Sequence, residues 1–269
     1  MMELTDRDFI RLKNFMYNNY GINLENKKTL IETRLALMVK RFGFSDFKSY
    51  IDNLMNDKSG EQVSALVEKL TTNFTYFMRE EIHFGFLKEN VLLPSLKKPP
   101  IGGVKIWSAA SSTGEEPYCI AMLASSVYGR LSKAKVSITA SDISSKVLKQ
   151  ANAGIYTQDK IAKLPPTWIK SYFITTTDRK YEVIKDVKDL VEFKYFNLND
   201  GIGWNRSKYD VIFCRNVMIY FDNPTTQKLV KRLYDSLKPG GYLIIGMSES
   251  LSNIQTDFER VKPSIYRKK

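Results

Sequence analysis

The stretch WSAASSTGEEPY, residues 107–118, decides the fold class because it joins a short apolar strand pattern to the start of a helix pattern. Nucleotide-binding α/β folds place a glycine-rich phosphate loop at this position. Here there is one glycine, Gly114, and two glutamates, Glu115 and Glu116, follow it directly. Carboxylates suit the dipole of a helix amino terminus but would repel a phosphate. The loop therefore disfavours NAD, FAD and ATP as ligands.

The sequence downstream of this stretch alternates strand patterns with helical patterns. The predicted strands are Val104–Ser108, Val136–Ala140, Val211–Cys214 and Tyr242–Gly246, and the predicted helices are Glu115–Tyr128, Ser144–Ala153 and Pro224–Leu237. This alternation predicts an α/β fold, with a parallel sheet covered by helices on both faces. Apolar residues alternate with charged ones at about 172–196, which predicts a small antiparallel insertion. Residues 258–267 are predicted to form an edge strand.

Residues 3–90 carry helical patterns instead. Thr5 opens a Thr-x-x-Asp capping pattern, and apolar residues then recur at helical spacing in successive segments to about Leu93. Pro94 and the run KKPP at 97–100 interrupt the pattern, as is typical of a linker. We predict an all-helical amino-terminal domain at 1–92, a linker at 93–101 and an α/β domain at 102–269.

Bulk composition excludes several classes of protein. Among the 269 residues are two cysteines and one histidine, too few for a disulfide framework or a zinc site. No apolar run approaches the ~20 residues of a membrane span, and the first ten residues lack the features of a secretory signal. We expect a cytoplasmic monomer without a metal and not inserted in a membrane. The net charge of +12 indicates either an acidic partner or a lysine-rich solvated surface.

The carboxyl ends of the predicted strands are the expected ligand-binding edge of a parallel sheet. Asp142 ends the second strand pattern, where an acid accepts both ribose hydroxyls in nucleoside-binding folds. The alternative is that Asp142 only caps the following helix. Ala109 and the small residues after it permit close approach of a ligand. A phosphate-free nucleoside with positive charge fits these features, and S-adenosylmethionine is such a molecule.

Four motifs carry a resemblance to a known family. LKPGGYLII (237–245) resembles the late turn and strand of class I S-adenosylmethionine-dependent methyltransferases. WSAASSTGEEPY, FCRNVMIYF (213–221) and TNFTYFMRE (72–80) together resemble the chemotaxis receptor methyltransferase family, CheR. The resemblance covers nearly the whole chain. It implies a helical domain followed by a Rossmann-like methyltransferase domain with a small antiparallel subdomain.

The resemblance implies a reaction and a set of site residues. The reaction is methyl transfer from S-adenosylmethionine to glutamate carboxylates of methyl-accepting chemotaxis receptors, with S-adenosylhomocysteine as product. Asn73, Thr75 and Arg79 would reach over the cofactor, Glu115 would lie near its amino-acid part, and Asp142 would hold its ribose. The adenosine and methionine region would be lined by residues at two further strand ends, namely Asn197, Leu198, Asn216 and Val217.

Three positions depart from the family pattern. Phe74 stands where the family often has Glu, and Ser111 where it often has Cys, and neither change removes a proposed hydrogen-bonding ligand. Family members that tether to a receptor's carboxy-terminal peptide carry a glycine-containing insertion in the antiparallel subdomain. Residues 173–181 contain no glycine, so we predict that this protein does not use a peptide tether.

Methyl transfer to a carboxylate does not require acid or base catalysis by the protein. A glutamate acceptor has a reference pKa near ~4.3 and is ionised at neutral pH, so no general base is required. Arg79 is predicted to orient the substrate or cofactor through its guanidinium, with Tyr220 as a second donor. The alternatives are an ordinary salt bridge of Arg79 with Glu80 or Glu81, and a packed Tyr220 ring with its hydroxyl at the surface.

Basic residues of the second predicted helix form a candidate receptor-docking face. They are Lys27, Lys28, Arg34, Lys40 and Arg41. Receptor methylation regions are helical and rich in glutamate, which favours docking by charge complementarity. The alternative is that these side chains are simply solvated.

Two rival functions stay open. A nucleic-acid methyltransferase would fit the positive charge, but its Asn/Asp-Pro-Pro-aromatic motif is replaced here by Cys-Arg-Asn-Val at 214–217, and Cys214 follows Phe213 rather than a proline. We therefore expect no nucleic-acid partner. A cofactor-binding adaptor without catalysis is the other rival, and transfer of base-labile label to receptor protein would distinguish it.

Overall fold

The computed structural model describes residues 2–57, 60–71, 74–200 and 208–269. The first helices are α1 (Asp6–Tyr20), α2 (Lys28–Arg41), α3 (Phe47–Asn56) and α4 (Glu61–Leu70). Thr5 caps α1 by accepting a hydrogen bond from the Asp8 amide at 3.1 Å, as the capping pattern predicted. Asp46, the residue after Ser45, caps α3 by accepting a hydrogen bond from the Ser49 amide at 2.7 Å.

These four helices enclose a hydrophobic core of their own. Its fully buried members come from successive helices and include Leu12, Ile31, Leu35, Tyr50, Ile51 and Leu66. Each such side chain removed from water contributes roughly 1.5–3 kcal/mol. The apolar stripes of the amino-terminal segment are therefore core faces, which pack the four helices against one another.

A continuous helical segment follows, made of α5 (Ile82–Leu87), a π-helical turn (Lys88–Leu92) and α6 (Leu93–Lys97). The structure here differs from the predicted linker at 93–101, since the first half of that range is helical. Pro94 lies in the first turn of α6, where the ring is tolerated because the wide π-helical turn precedes it.

The same segment belongs to the core of the sheet, so the boundary between the two cores differs from the predicted domain boundary. Phe84, Leu87 and Leu92 belong to the hydrophobic cluster of the sheet, together with Phe77. The last buried member of the helical-domain cluster is Val67. The division between the cores therefore lies between Val67 and Phe77 rather than after residue 92.

The carboxy-terminal domain contains the strands and the remaining helices. The strands are β1 (Val104–Ala109), β2 (Val136–Asp142), β3 (Ile155–Tyr156), β4 (Phe173–Thr175), β5 (Tyr181–Val183), β6 (Val191–Tyr195), β7 (Tyr209–Cys214), β8 (Leu237–Ile245), β9 (Glu259–Lys262) and β10 (Ile265–Arg267). The helices are α7 (Glu115–Tyr128), α8 (Ser132–Lys135), α9 (Ser145–Ala153), α10 (Gln158–Ile161), α11 (Pro166–Tyr172), α12 (Lys185–Lys188) and α13 (Asn223–Ser236).

Seven strands form the main sheet in the order β6-β2-β1-β7-β8-β10-β9. The first five in that order are parallel, and β1 lies between β2 and β7, so Trp107 is paired with Thr139 on one side and Ile212 on the other. The last two form an antiparallel hairpin at the edge. The predicted α/β architecture is confirmed, and the predicted final edge strand is a hairpin.

The small antiparallel sheet has the order β3-β5-β4 and differs from the predicted insertion at 172–196. It takes one strand, β3, from before that range, and it ends at Val183. Strand β6 pairs in parallel with β2 and extends the main sheet instead. Alternating apolar and charged residues are typical of any half-exposed strand, so the pattern could not tell an edge strand of the main sheet from an insertion. Below, the small sheet with α10 and α11 is called the small subdomain.

Helical domain and sheet domain meet at the carboxyl ends of the parallel strands. The Asn23 amide donates to the Tyr220 carbonyl at 2.8 Å, and Asn197 Nδ2 donates to the Asn19 carbonyl at 2.8 Å. On α4 and at the start of α9, the buried hydroxyls of Ser64 and Ser144 are 2.7 Å apart. Within the described ranges, no helix has the length and apolarity needed to cross a membrane.

Candidate functional site

A cavity lies at the carboxyl ends of β1, β2 and β7, on the side where the helical domain faces the sheet. Tyr20 and Ile22, at the end of α1, form the wall on the side of the helical domain. Residues 74–79, which we call the covering segment, form a second wall with Phe74, Thr75, Tyr76 and Arg79. The remaining walls are strand-end loops, so residues distant in sequence meet where a parallel sheet binds its ligands.

The loop after β1 approaches the cavity through backbone rather than bulky side chains. Ala110 and Ser112 have φ of 63° and 50°, a left-handed conformation that turns the chain sharply before α7. Gly114, at φ 94°, precedes α7, and an added Cβ there would lie 2.9 Å from the Tyr156 hydroxyl. Ala110 lines the cavity, whereas Ala109, the predicted contact, is buried in the core. The predicted close approach is therefore made one residue later.

Asp142 lies at the end of β2 and lines the cavity, as its position in the sequence predicted. Its two carboxylate oxygens accept from the amides of Ser112 at 2.8 Å and Ser144 at 2.9 Å. The side chain that caps α9 is Ser144, so Asp142 is not simply the cap. Burial raises the pKa of Asp142 above its ordinary value, while the backbone donors oppose this. The result is a fixed carboxylate facing the cavity.

The second glutamate of the quoted stretch, Glu116, lines the cavity. Its carboxylate accepts from the Ser108 hydroxyl at 2.7 Å and pairs with Arg215 Nη1 at 2.7 Å. Arg215 is itself buried, pairs with Glu80 at 3.1 Å, and donates to the Arg79 carbonyl. These contacts form a charged network beneath the cavity that joins the strand ends to the covering segment.

Glu115, predicted near the cofactor, does not line the cavity and is fully buried behind the loop. Its carboxylate accepts from the Thr113 hydroxyl at 2.6 Å and pairs with Lys160 at 3.4 Å. Of the two adjacent acids, Glu116 lines the cavity and Glu115 does not, so the contact of Glu115 with a cofactor stays a prediction. Successive residues on a helix are about 100° apart, so only one of them can face the strand ends.

Arg79 and Thr75 line the cavity as predicted, whereas Asn73 lies outside the described residues. Arg79 Nη1 donates to the Phe74 carbonyl at 2.5 Å, which folds the covering segment back on itself. Among the described residues, Glu80 pairs with Arg215 and not with Arg79, and Arg79 has no ion pair with Glu81. The salt-bridge alternative for Arg79 is thus not what the structure contains, and Arg79 is among the residues that line the cavity.

The loop after β7 contributes Asn216, Val217 and Tyr220 to the cavity. Asn216 has φ 58°, and its left-handed conformation is held by Glu249, whose carboxylate accepts from the amides of Asn216, Met218 and Gly246 at 2.7–2.8 Å. Burial raises the pKa of Glu249, and these amides oppose the rise. Glu249 therefore positions the loop and was missed by the sequence reasoning, because nothing nearby in sequence identifies its partners.

Asn197 and Leu198 also line the cavity, at the end of the segment that follows β6. The Asn197 side chain bridges to the helical domain through the Asn19 carbonyl and to Asp200 at 2.9 Å. The structure thus brings together eight of the ten predicted cofactor or catalytic positions that fall on described residues. The two exceptions are Ala109 and Glu115.

Three buried polar atoms of the cavity-lining residues have no hydrogen-bond partner among the described residues. They are the hydroxyls of Ser111 and Ser112 and Nε of Arg215. Buried polar groups are normally paired. Their residues all line one cavity, which is consistent with a ligand that carries several polar groups.

Both cysteines are buried and free. Burial raises the pKa of the Cys214 thiol well above its ordinary value, and Cys119 accepts a hydrogen bond from the Met78 amide at 3.1 Å. A thiol in such surroundings is a poor nucleophile. Cys214 is therefore a core residue of β7, which does not suit the nucleophilic cysteine that methylation of cytosine carbon requires.

The five basic residues of the candidate docking face lie on α2 and the residue before it, away from the cavity lining. Lys28 pairs with Asp6 at 2.6 Å, Lys27 Nζ lies 3.3 Å from the Asn23 carbonyl, and Arg34 Nη1 lies 3.4 Å from the Lys69 carbonyl. Lys40 and Arg41 are exposed in the last turn, where they also suit the helix dipole.

Comparisons with known proteins agree with this architecture. A family model described as CheR methyltransferase, all-alpha domain, matches residues 7–71, and one described as CheR methyltransferase, SAM binding domain, matches residues 73–267. A chemotaxis protein methyltransferase of Borreliella burgdorferi is 41% identical over 99% of this chain and 96% of that protein. Those of Vibrio cholerae (chemotaxis protein methyltransferase 2) and Escherichia coli are 35% and 34% identical, over 95% and 98% of this chain and 89% and 92% of theirs.

Proposed function

The chain belongs to the CheR family of chemotaxis methyltransferases, whose activity depends on S-adenosylmethionine, and we propose that it methylates glutamate side chains of methyl-accepting chemotaxis receptors. The products are glutamate methyl esters and S-adenosylhomocysteine. The observation that carries the proposal is the meeting of Asp142, Glu116 and Arg79 around one cavity at the strand ends.

The residues around the cavity fit S-adenosylmethionine by their chemistry. Asp142 offers a fixed carboxylate for the two ribose hydroxyls, and Glu116 offers negative charge to the cationic amino-acid part. The unpaired hydroxyls of Ser111 and Ser112 supply further polar contacts. Glu116 in the first turn of α7 disfavours a phosphate. These features support a nucleoside with positive charge and no phosphate.

S-adenosylmethionine supplies a methyl group on a sulfonium, which is activated toward direct displacement. The residues of this chain then have to bind and orient the acceptor carboxylate and exclude water. Arg79 is suited to hold that carboxylate by paired hydrogen bonds, and Tyr220 to donate a second contact. Orientation of this kind lowers a barrier by roughly 7–11 kcal/mol. No general base is needed because the acceptor is already ionised.

We further propose that the basic face of α2 docks the receptor. The glutamate-rich helix around a methylation site would lie against Arg34, Lys40 and Arg41. Reversal of charge at Arg34 and Arg41 is expected to weaken binding of receptor fragments about tenfold at low salt and less at high salt. Lys149→Glu, which changes an exposed lysine of α9, is the matched control. Equal affinity of all variants at both salt concentrations would leave these lysines and arginines as solvated residues.

The peptide tether is proposed to be absent. The hairpin between β4 and β5 turns through Thr176–Lys180, with Arg179 in the left-handed conformation at φ 58°. Calorimetric titration with a receptor carboxy-terminal peptide is expected to give no binding heat. A micromolar dissociation constant would contradict this.

Peptide mass spectrometry tests the proposed substrate. Receptor-containing membranes are incubated with the protein and S-adenosylmethionine, and the receptor is then digested at acidic pH to preserve esters. We expect methylated glutamates in the cytoplasmic helices, and fewer of them with the Asp142→Ala variant when S-adenosylmethionine is not saturating. Methyl groups located on other residue types would overturn the proposed acceptor.

A further inference from the structure

The covering segment is held from its outer side by the small subdomain. Lys160 Nζ lies 3.2 Å from the Thr75 carbonyl, and Lys163 Nζ lies 4.2 Å from the centre of the Tyr76 ring. The rings of Phe77 and Tyr156 meet edge to face at 4.8 Å. The segment that carries Arg79 at the cavity is thus held by contacts with the small subdomain.

Lys160 makes a second contact, to the fully buried carboxylate of Glu115 at 3.4 Å. Among the described residues, it is the cation within ion-pair distance of this acid. A buried carboxylate without a counter-charge is strongly destabilising. Glu115 is the first residue of α7 and directly precedes Glu116, which lines the cavity.

We propose that Lys160 is a positioning residue of the methyl-donor site. Its ammonium joins the Thr75 carbonyl to the Glu115 carboxylate, so that the covering segment is held at a fixed separation from the first turn of α7. Lys160 lies on α10, so the small subdomain contributes to the affinity for the cofactor through this side chain. The inference rests on the function proposed above.

The substitution Lys160→Met keeps the length and apolar stem of the side chain and removes its charge. We expect S-adenosylhomocysteine to bind about tenfold more weakly, because a hydrogen-bonded charge is lost from between two walls of the site. The Michaelis constant for S-adenosylmethionine rises with it. Lys160→Arg restores binding, and Lys170→Met, an exposed lysine of α11, binds as the native protein does.

A double substitution separates positioning from stability. Lys160→Met leaves the Glu115 carboxylate unpaired, so we expect it to lower the melting temperature. The double variant Lys160→Met with Glu115→Gln has no unpaired charge, so we expect its melting temperature to return to the native value. Because the Thr75 contact is still absent, the double variant keeps the weak cofactor binding. Recovery of full affinity in the double variant would mean that Lys160 only balances a charge, and this would overturn the proposal.

The calorimetric titration distinguishes the two proposals. Native protein that binds S-adenosylhomocysteine, with Lys160→Met binding equally well, contradicts the role of Lys160 and leaves the proposed function intact. Native protein that gives no binding at all contradicts both.

Discussion

Protonation of His83 is expected to lower the free energy of unfolding below pH 6.5. The imidazole is fully buried; its Nε2 is 2.7 Å from the Ser264 hydroxyl and its Nδ1 is 3.4 Å from Glu80. Burial is the main cause and the nearby Arg215 the second, and together, against the opposing effect of Glu80, they lower the pKa of His83 from 6.5 to about 4. His83 is therefore neutral in the native protein at neutral pH.

The sign of the effect follows from proton binding. Between pH 6.5 and about 4 the unfolded chain binds a proton at this residue that the native protein does not bind, so stability falls as the pH falls through this window. The difference of about 2.5 pH units corresponds to about 3 kcal/mol in full, and to about 2 kcal/mol at pH 5.

Two assays measure this effect. Since His83 is the sole histidine of the chain, its imidazole proton resonances can be followed by NMR without assignment. Urea unfolding at pH 7 and pH 5 gives the free energies of the native protein and of His83→Gln. We expect the native protein to lose about 2 kcal/mol more than the variant between the two pH values. An imidazole that titrates near 6.5, or equal losses in the two proteins, would refute the reasoning.

Three further substitutions test the site. Asp142→Ala is expected to raise the dissociation constant of S-adenosylhomocysteine by about 10- to 100-fold in calorimetry, because the ribose loses a charged acceptor; unchanged affinity would count against the assignment. Arg79→Ala is expected to reduce turnover about 100-fold or more in a radiolabelled methyl assay with the melting temperature preserved, and near-native turnover would exclude its role. Glu249→Gln is expected to lower the melting temperature by about 5 °C and weaken cofactor binding, since two loops lose a shared acceptor; a native melting curve would contradict this.

Local sequence was sufficient for elements with strong local signals. Helix α7 begins and ends at the predicted residues, since Gly114 and Gly129 flank it and its first turn is acidic. Strand β6 could not be assigned from its pattern, because its partner, β2, lies about 50 residues away and pairing is a tertiary choice. Pro94 was predicted to end the helical segment, but the segment continues through it because a π-helical turn precedes it.

Site residues could be predicted from the sequence where they lie directly after a predicted strand. Asp142 is the last residue of β2, and Asn216 lies just beyond the end of β7. The topology of the sheet alone therefore places both residues at the cavity. Which of Glu115 and Glu116 faces the cavity depends on how α7 is rotated about its own axis, and the sequence does not specify that rotation. Arg215 had a usable signal, namely a charged residue directly after a buried strand, and its network with Glu116 supplies the reason for its burial.

The chemical nature of the transferred group tests the central claim most directly. Receptor-containing membranes are incubated with the protein and methyl-labelled S-adenosylmethionine, and the washed protein is then treated with alkali. The account predicts that the protein-bound label is released as volatile methanol, because methyl esters hydrolyse under these conditions. Label that stays on the receptor in alkali, or a protein that binds the cofactor and transfers no label, would contradict it.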